Sequence, residues 1–125
     1  YAISDCLVGS DMCIRDRYCI KIKYSLDAIK GMMNDGIDRQ DAMRKLTEAL
    51  GGKLVSFYGM VGQEYHAMAI TEIPEYANLS AGIITALMAG TMIDYKVIPL
   101  YQSSDVKKIS ELFKKVSPSY QKPGS

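Results

Sequence analysis

Residues 51–74 read Gly51-Gly-Lys-Leu-Val-Ser-Phe-Tyr-Gly-Met-Val-Gly-Gln-Glu-Tyr-His-Ala-Met-Ala-Ile-Thr-Glu-Ile-Pro74. Leu54 to Tyr58 is rich in β-branched and aromatic side chains, and Tyr65 to Ile73 resumes that character after Gly59 and Gly62. Extended segments joined by so few residues pair antiparallel, because a parallel pair needs a crossover of a dozen residues or more. Pro74 has no N–H to give a neighbouring strand and ends the second segment. A hairpin near the middle of the chain therefore sets the fold class, and the other segments are placed around it.

Upstream, Tyr18, Ile20, Ile22 and Tyr24 alternate with Cys19, Lys21 and Lys23, the period of two that a strand requires. Ser25 offers an N-cap oxygen to a short helix with Leu26, Ile29 and Met32 or Met33 on one face, broken at Asn34-Asp35-Gly36. Asp38 caps a second helix whose stripe is Ala42, Met43, Leu46, Ala49 and Leu50. Gly51 and Gly52 end it, glycine being free to turn left-handed at a C-cap.

Downstream, Glu75 to Gly90 forms a third helix, with Leu79, Ile83, Ala86, Leu87 and Gly90 as its main stripe. Ile84 and Met88 make it apolar nearly all round. Asn78, Ser80, Gly82 and Thr85 interrupt the run, which is marginal in length for a membrane span. Burial between its own sheet and a partner subunit accounts for the same residues. Met92 to Leu100 is a fourth strand. Ser103 or Ser104 caps a last helix with Val106, Ile109, Leu112, Phe113 and Val116 inward and Lys107, Lys108, Lys114 and Lys115 outward. Residues 117–125, with two prolines and a glycine, read as a disordered tail.

This order predicts an α+β, ferredoxin-like βαββαβ domain over residues 18–116. A four-stranded antiparallel sheet carries helices on one face, and the C-terminal helix is an addition. The other face should carry Ser56, Tyr58, Ala67 and Ala69, or their alternation partners. Neither set is polar enough to face water, so a homodimer through the open sheet face is expected, of the dimeric α+β barrel type.

Composition narrows the function. The formal net charge is +1 with acids and bases interspersed, which lacks the clustered basic excess of a nucleic-acid binder. Cys6, Cys13 and Cys19 fit neither a disulfide framework nor a zinc site, and His66 is the single histidine. No metal, cofactor, nucleic acid or membrane is expected as a partner. Residues 4–17 resemble translated sequencing-adapter read-through, so residues 1–17 are expected to be a non-native extension. With no secretory signal pattern there, the expected location is cytoplasmic.

Ala28-Ile29-Lys30, Arg39, Leu50-Gly51-Gly52-Lys53 and the Gly62 to His66 hairpin together resemble the GYD domain family over about Tyr18 to Tyr101. In the Gly-Tyr-Asp signature Gly62 and Tyr65 correspond, and His66 stands where the family has its aspartate. The resemblance implies the dimeric α+β barrel fold; it implies no activity.

His66 is the candidate catalytic residue, since an imidazole titrates near neutrality and can move a proton or donate to a ligand. By alternation its ring should share a side with Met68 and Ile70, and Tyr65 should face the other way. Tyr18, Tyr24, Tyr58, Tyr65 and Tyr95 could line an aromatic pocket with hydroxyls for orientation. Arg39, near a helix start, could bind an anion or form a surface ion pair. Cys19 has no basic neighbour on its face except Lys21 and is expected to be inert. Three readings follow: a small apolar or aromatic ligand bound by a homodimer, a cofactor-free oxygenase or isomerase using His66, or a structural self-association module. A ligand-sized cavity opening onto His66 would separate the first two from the third.

Overall fold

The structure, a computed structural model, describes residues 16–62 and 64–124. The expectations for residues 1–15, Cys6 and Cys13 among them, lie outside these. The elements run β1 (Asp16–Tyr24), α1 (Leu26–Asp35), α2 (Gln40–Ala49), β2 (Lys53–Gly59), β3 (Ala67–Ile73), α3 (Tyr76–Met88), β4 (Met92–Leu100) and α4 (Val106–Val116). One four-stranded sheet has the order β2-β3-β1-β4 with every neighbour antiparallel, the ferredoxin-like arrangement. β1 begins two residues before the expected Tyr18, and Arg17 already pairs with Glu72 of β3 at 2.7 Å.

Alternation along β1 decides the core. Tyr18, Ile20, Ile22 and Tyr24 are buried together with Ala67 and Ile73 of β3, Leu79 and Ile83 of α3, and Met92 of β4. Fully burying a side chain such as Leu79 or Ile73 contributes about 1.5–3 kcal/mol, so this layer supplies most of the fold's cohesion. Ser25 Oγ accepts from the Ala28 N–H at 3.1 Å, as an N-cap should, and Gly36 closes α1 at φ 62°. Asn78 Nδ2 donates to the Leu50 carbonyl at 2.9 Å, tying α3 to the end of α2.

Five expectations need correction. The buried stripe of α2 is Met43, Leu46, Thr47 and Leu50, whereas Ala42 and Ala49 are exposed. Thr47 escapes a hydrophobicity count because its hydroxyl donates to the Met43 carbonyl at 2.7 Å, which lets it be buried. Only Gly51 of the glycine pair is left-handed, at φ 81°. Gly52 is there for space, since a Cβ on it would lie 2.3 Å from the Glu72 carbonyl oxygen.

The sheet faces also divide differently. Tyr58 lies opposite Met68 and Ser56 opposite Ile70, while Ala67 and Ala69 are buried on the helix side. A register shift at Val55 lies between Leu54 and Ser56. The open face therefore carries a band of Cys19, Met68, Ile70 and Ile98, flanked by Lys21, Lys23, Lys96 and the Arg17–Glu72 pair. It is more charged than expected.

Finally, the apolar stripe of α4 does not face inward. Val106, Ile109, Leu112, Phe113 and Val116 are between 41% and 64% exposed. Its start is held by Gln102 and Asp105, which bond reciprocally across a 3-10 turn at Ser103–Asp105, and not by a serine cap.

Candidate functional site

β1 ends, α1 leaves the sheet and β3 begins at one end of the molecule. Tyr24 is the last residue of β1, and the cap at Ser25 turns the chain at once into α1. After Gly36, Asp38 Oδ1 accepts from the Gln40 N–H at 2.9 Å and starts α2. That bond fixes Arg39, between them, at the helix N-terminus. The connection from β2 to β3 closes the same end, with the Met60 N–H bonded to the His66 carbonyl and the His66 N–H to the Ile22 carbonyl, both at 2.8 Å.

Between these segments lies a cavity of about 450 Å³. Its walls are mostly apolar, drawn from Ile29, Met32 and Met33 of α1, Phe57 of β2 and Met60 and Val61 of the hairpin. The polar groups reaching it include Tyr24, Arg39 and His66. Its size suits a small organic molecule, and three methionines give the wall side chains that adjust to shape.

His66 does not simply follow Met68 and Ile70. It precedes β3, and its Nδ1 accepts from the Tyr24 backbone N–H at 3.0 Å. The two rings lie parallel within 5°, with centroids 6.2 Å apart. An Nδ1 that accepts carries no proton, so the neutral ring keeps its proton on Nε2 as a donor. That nitrogen has no hydrogen-bond partner among the described residues.

Burial raises the pKa of the Tyr24 hydroxyl, with the Arg39 guanidinium acting the other way. Tyr24 is therefore a neutral donor at physiological pH. Arg39 is half-buried and forms no ion pair among the described residues. The ion pairs found there are Arg17–Glu72, Arg44–Asp41 and Lys45–Asp41. The surface ion pair considered for Arg39 is thus absent among those residues: Arg39 and its neighbour Asp38 both line the pocket without pairing to each other.

The other tyrosines do not join this group. Tyr18 sits at the opposite end of β1, its ring 5.8 Å from that of Tyr76 and its hydroxyl 3.4 Å from Asp16 Oδ2. Tyr58 is exposed on the open sheet face. Tyr65 lies in the hairpin, where loss of hydration first, and then the charges of Asp94 and Glu64, raise its pKa. Tyr95 is on the edge strand β4, opposite Ile22. Of the expected set, Tyr24, Arg39 and His66 come together.

The sequence reading did not place Phe57, Met60 or Val61 at a site. Val61 is 98% exposed, and a large apolar residue left in water on a turn is the signal that could have marked it. Two smaller cavities, of about 70 and 50 Å³, continue inward between the sheet and the helices. Tyr24, Arg39 and Phe57 wall both the outer pocket and the first of these. Thr71 Oγ1 is buried on the inner one with no hydrogen-bond partner among the described residues. Among the described residues no group of three His, Cys, Asp or Glu is placed to hold a metal, and no helix is long and apolar enough to cross a membrane.

A sequence model for one protein family, described as the GYD domain, matches residues 18–110, most of the chain. No curated protein matches.

Proposed function

The chain belongs to the GYD domain family, and we propose that it is a homodimeric binding protein for a small aromatic or apolar carboxylate. The observation that carries this reading is Arg39, a guanidinium without an ion-pair partner among the described residues, at the apolar pocket it shares with Tyr24 and His66. An apolar wall supplies affinity for a hydrocarbon body, and a guanidinium that Asp38 does not engage in an ion pair among the described residues selects an anionic end. The Tyr24 hydroxyl and the His66 Nε2–H are further donors for the same group.

Dimerisation through the open sheet face is part of the proposal. Met68, Ile70 and Ile98 are half-buried around the buried Cys19 and form the least polar part of that face, where the lysines beside them can lay their stems while their charges reach water. Because those charges repel across a twofold, added salt should tighten the dimer.

Calorimetric titration with 2-naphthoate and its neutral analogue 2-naphthamide tests the ligand class. The carboxylate should bind at least about tenfold more tightly, the discrimination of roughly 1.4 kcal/mol that one charge-assisted contact supplies. Equal affinity for the two compounds would remove Arg39 from the account.

Catalysis by His66, as in a cofactor-free oxygenase or isomerase, is a second reading, favoured by an imidazole that lines the pocket and whose Nε2 has no hydrogen-bond partner among the described residues. With Nδ1 committed to the Tyr24 backbone, the ring can polarise a carbonyl as a donor; it cannot take a proton at Nδ1 without giving up that bond. Conversion of a bound carbonyl substrate that persists in His66→Ala would exclude it.

A further inference from the structure

α4 is an amphipathic helix with nothing among the described residues covering its apolar side. Val106, Ile109, Leu112, Phe113 and Val116 form one stripe, and every one of them is exposed. An eleven-residue helix is marginal in water by itself, so its stability comes from what its stripe packs against. Lys108 and Lys115 flank the stripe on one side, and Lys107 and Lys114 stand beyond the other. A matching surface has an apolar floor and acidic borders.

Three unpartnered apolar surfaces could receive it, and charge separates them. The open sheet face carries Lys21, Lys23 and Lys96 against Asp94 and a Glu72 already paired with Arg17, a net positive surface that disfavours a lysine-bordered helix. The outer side of α3, with Ile84, Leu87 and Met88, offers no charge. The pocket mouth fits best: Met33, Ile37 and Val61 are exposed at 74%, 50% and 98%, Asp38 lines it beside Arg39, and the exposed Asp35 lies between Met33 and Ile37 along the chain.

A chain's own α4 starts at the wrong end to reach that mouth. β4 ends at Leu100, paired with Arg17, whereas the pocket surrounds Tyr24 at the other end of β1. In the chain itself α4 leaves that mouth uncovered, with Met33, Ile37 and Val61 exposed. A twofold axis perpendicular to the strands inverts the ends, bringing each copy's α4 to the other's pocket.

We propose that α4 of one copy lies across the pocket mouth of a second copy, its apolar stripe on Met33, Ile37 and Val61 and its lysines toward Asp35 and Asp38. The pocket is then completed in trans, and the two mouths of a dimer are closed reciprocally. This goes beyond the binding function proposed above and rests on its pocket only for the rim, not for the ligand.

The test uses the full chain carrying Phe113→p-benzoylphenylalanine, mixed as ¹⁴N and ¹⁵N copies, photolysed and mapped by mass spectrometry. The expected product joins α4 of one isotopic copy to residues 33–38 or 59–62 of the other. Asp35→Lys on the receiving side should lower its yield about threefold at low salt, as reversing one exposed charge pair implies. Cross-links confined to a single chain, cross-links to any other surface of the second copy, or no cross-link between copies overturn the proposal. Naphthoate binding measured on the same sample separates this outcome from the fate of the ligand reading, because the pocket can bind its ligand whether or not α4 covers it.

Discussion

Replacing Arg39 by glutamine removes the positive charge of the pocket while keeping an aliphatic stem and a polar head. The site is half-buried, so the interaction lies between two limits. A unit charge pair at 4 Å is worth about 4 kcal/mol at an effective dielectric of 20 and about 1 kcal/mol in bulk water. Hydrogen bonds to charged groups contribute about 1.5–3 kcal/mol net, which places the loss near 2 kcal/mol and the weakening of naphthoate binding near 30-fold. Naphthamide, which has no charge to lose, should weaken by no more than about twofold, since its apolar contacts persist. Calorimetry at low salt reads both. A second readout is spectroscopic: Arg39 pulls the Tyr24 pKa downward against burial, so Arg39→Gln should move the tyrosine titration further up. An equal loss for acid and amide would mean that Arg39 acts through packing, and no loss for either would mean that the ligand sits elsewhere.

Gly52→Ala should destabilise the fold by about 3 kcal/mol, because the new Cβ would meet the Glu72 backbone carbonyl at 2.3 Å and neither strand can yield cheaply; an unchanged urea midpoint would contradict the close approach of β2 to β3. Thr71→Val keeps the shape and removes a buried hydroxyl without a partner, so it should stabilise by about 1 kcal/mol, read as a raised Tm. A lower Tm would show that the hydroxyl is bonded after all. Tyr24 has its folded pKa raised above 10.0 by burial, so in alkali the unfolded chain ionises first. Its contribution is full below about pH 10 and is lost as pH rises through the folded value. Tyr24→Phe should flatten that alkaline limb; superimposable limbs would place Tyr24 in water.

The fold was legible because its signals are local. The Leu54–Ile73 hairpin, the alternation from Tyr18 to Tyr24 and the cap at Ser25 each depend on residues a few positions apart. What escaped depends on register and tertiary reach. The register shift at Val55 separates Ser56 and Tyr58 from Ala67 and Ala69, and a strict period of two across the hairpin does not show it. Thr47 is buried by a hydrogen bond to its own helix, invisible to any count of apolar residues.

The site was half legible. His66, Arg39 and Tyr24 stood out by chemistry, but their convergence follows from the chain crossing one end of the sheet three times, which spacing does not encode. Tyr18, Tyr58, Tyr65 and Tyr95 were grouped with them by residue type alone. The α4 stripe has the period of a buried helix, and periodicity names a face to be covered without saying which chain covers it.

A crystal structure of the protein with 2-naphthoate addresses the binding claim most directly. The account places the ring among Ile29, Met32 and Phe57 and the carboxylate about 3 Å from the Arg39 guanidinium. Naphthoate lying on the open sheet face, or the pocket remaining without ligand at saturating concentration, would contradict it.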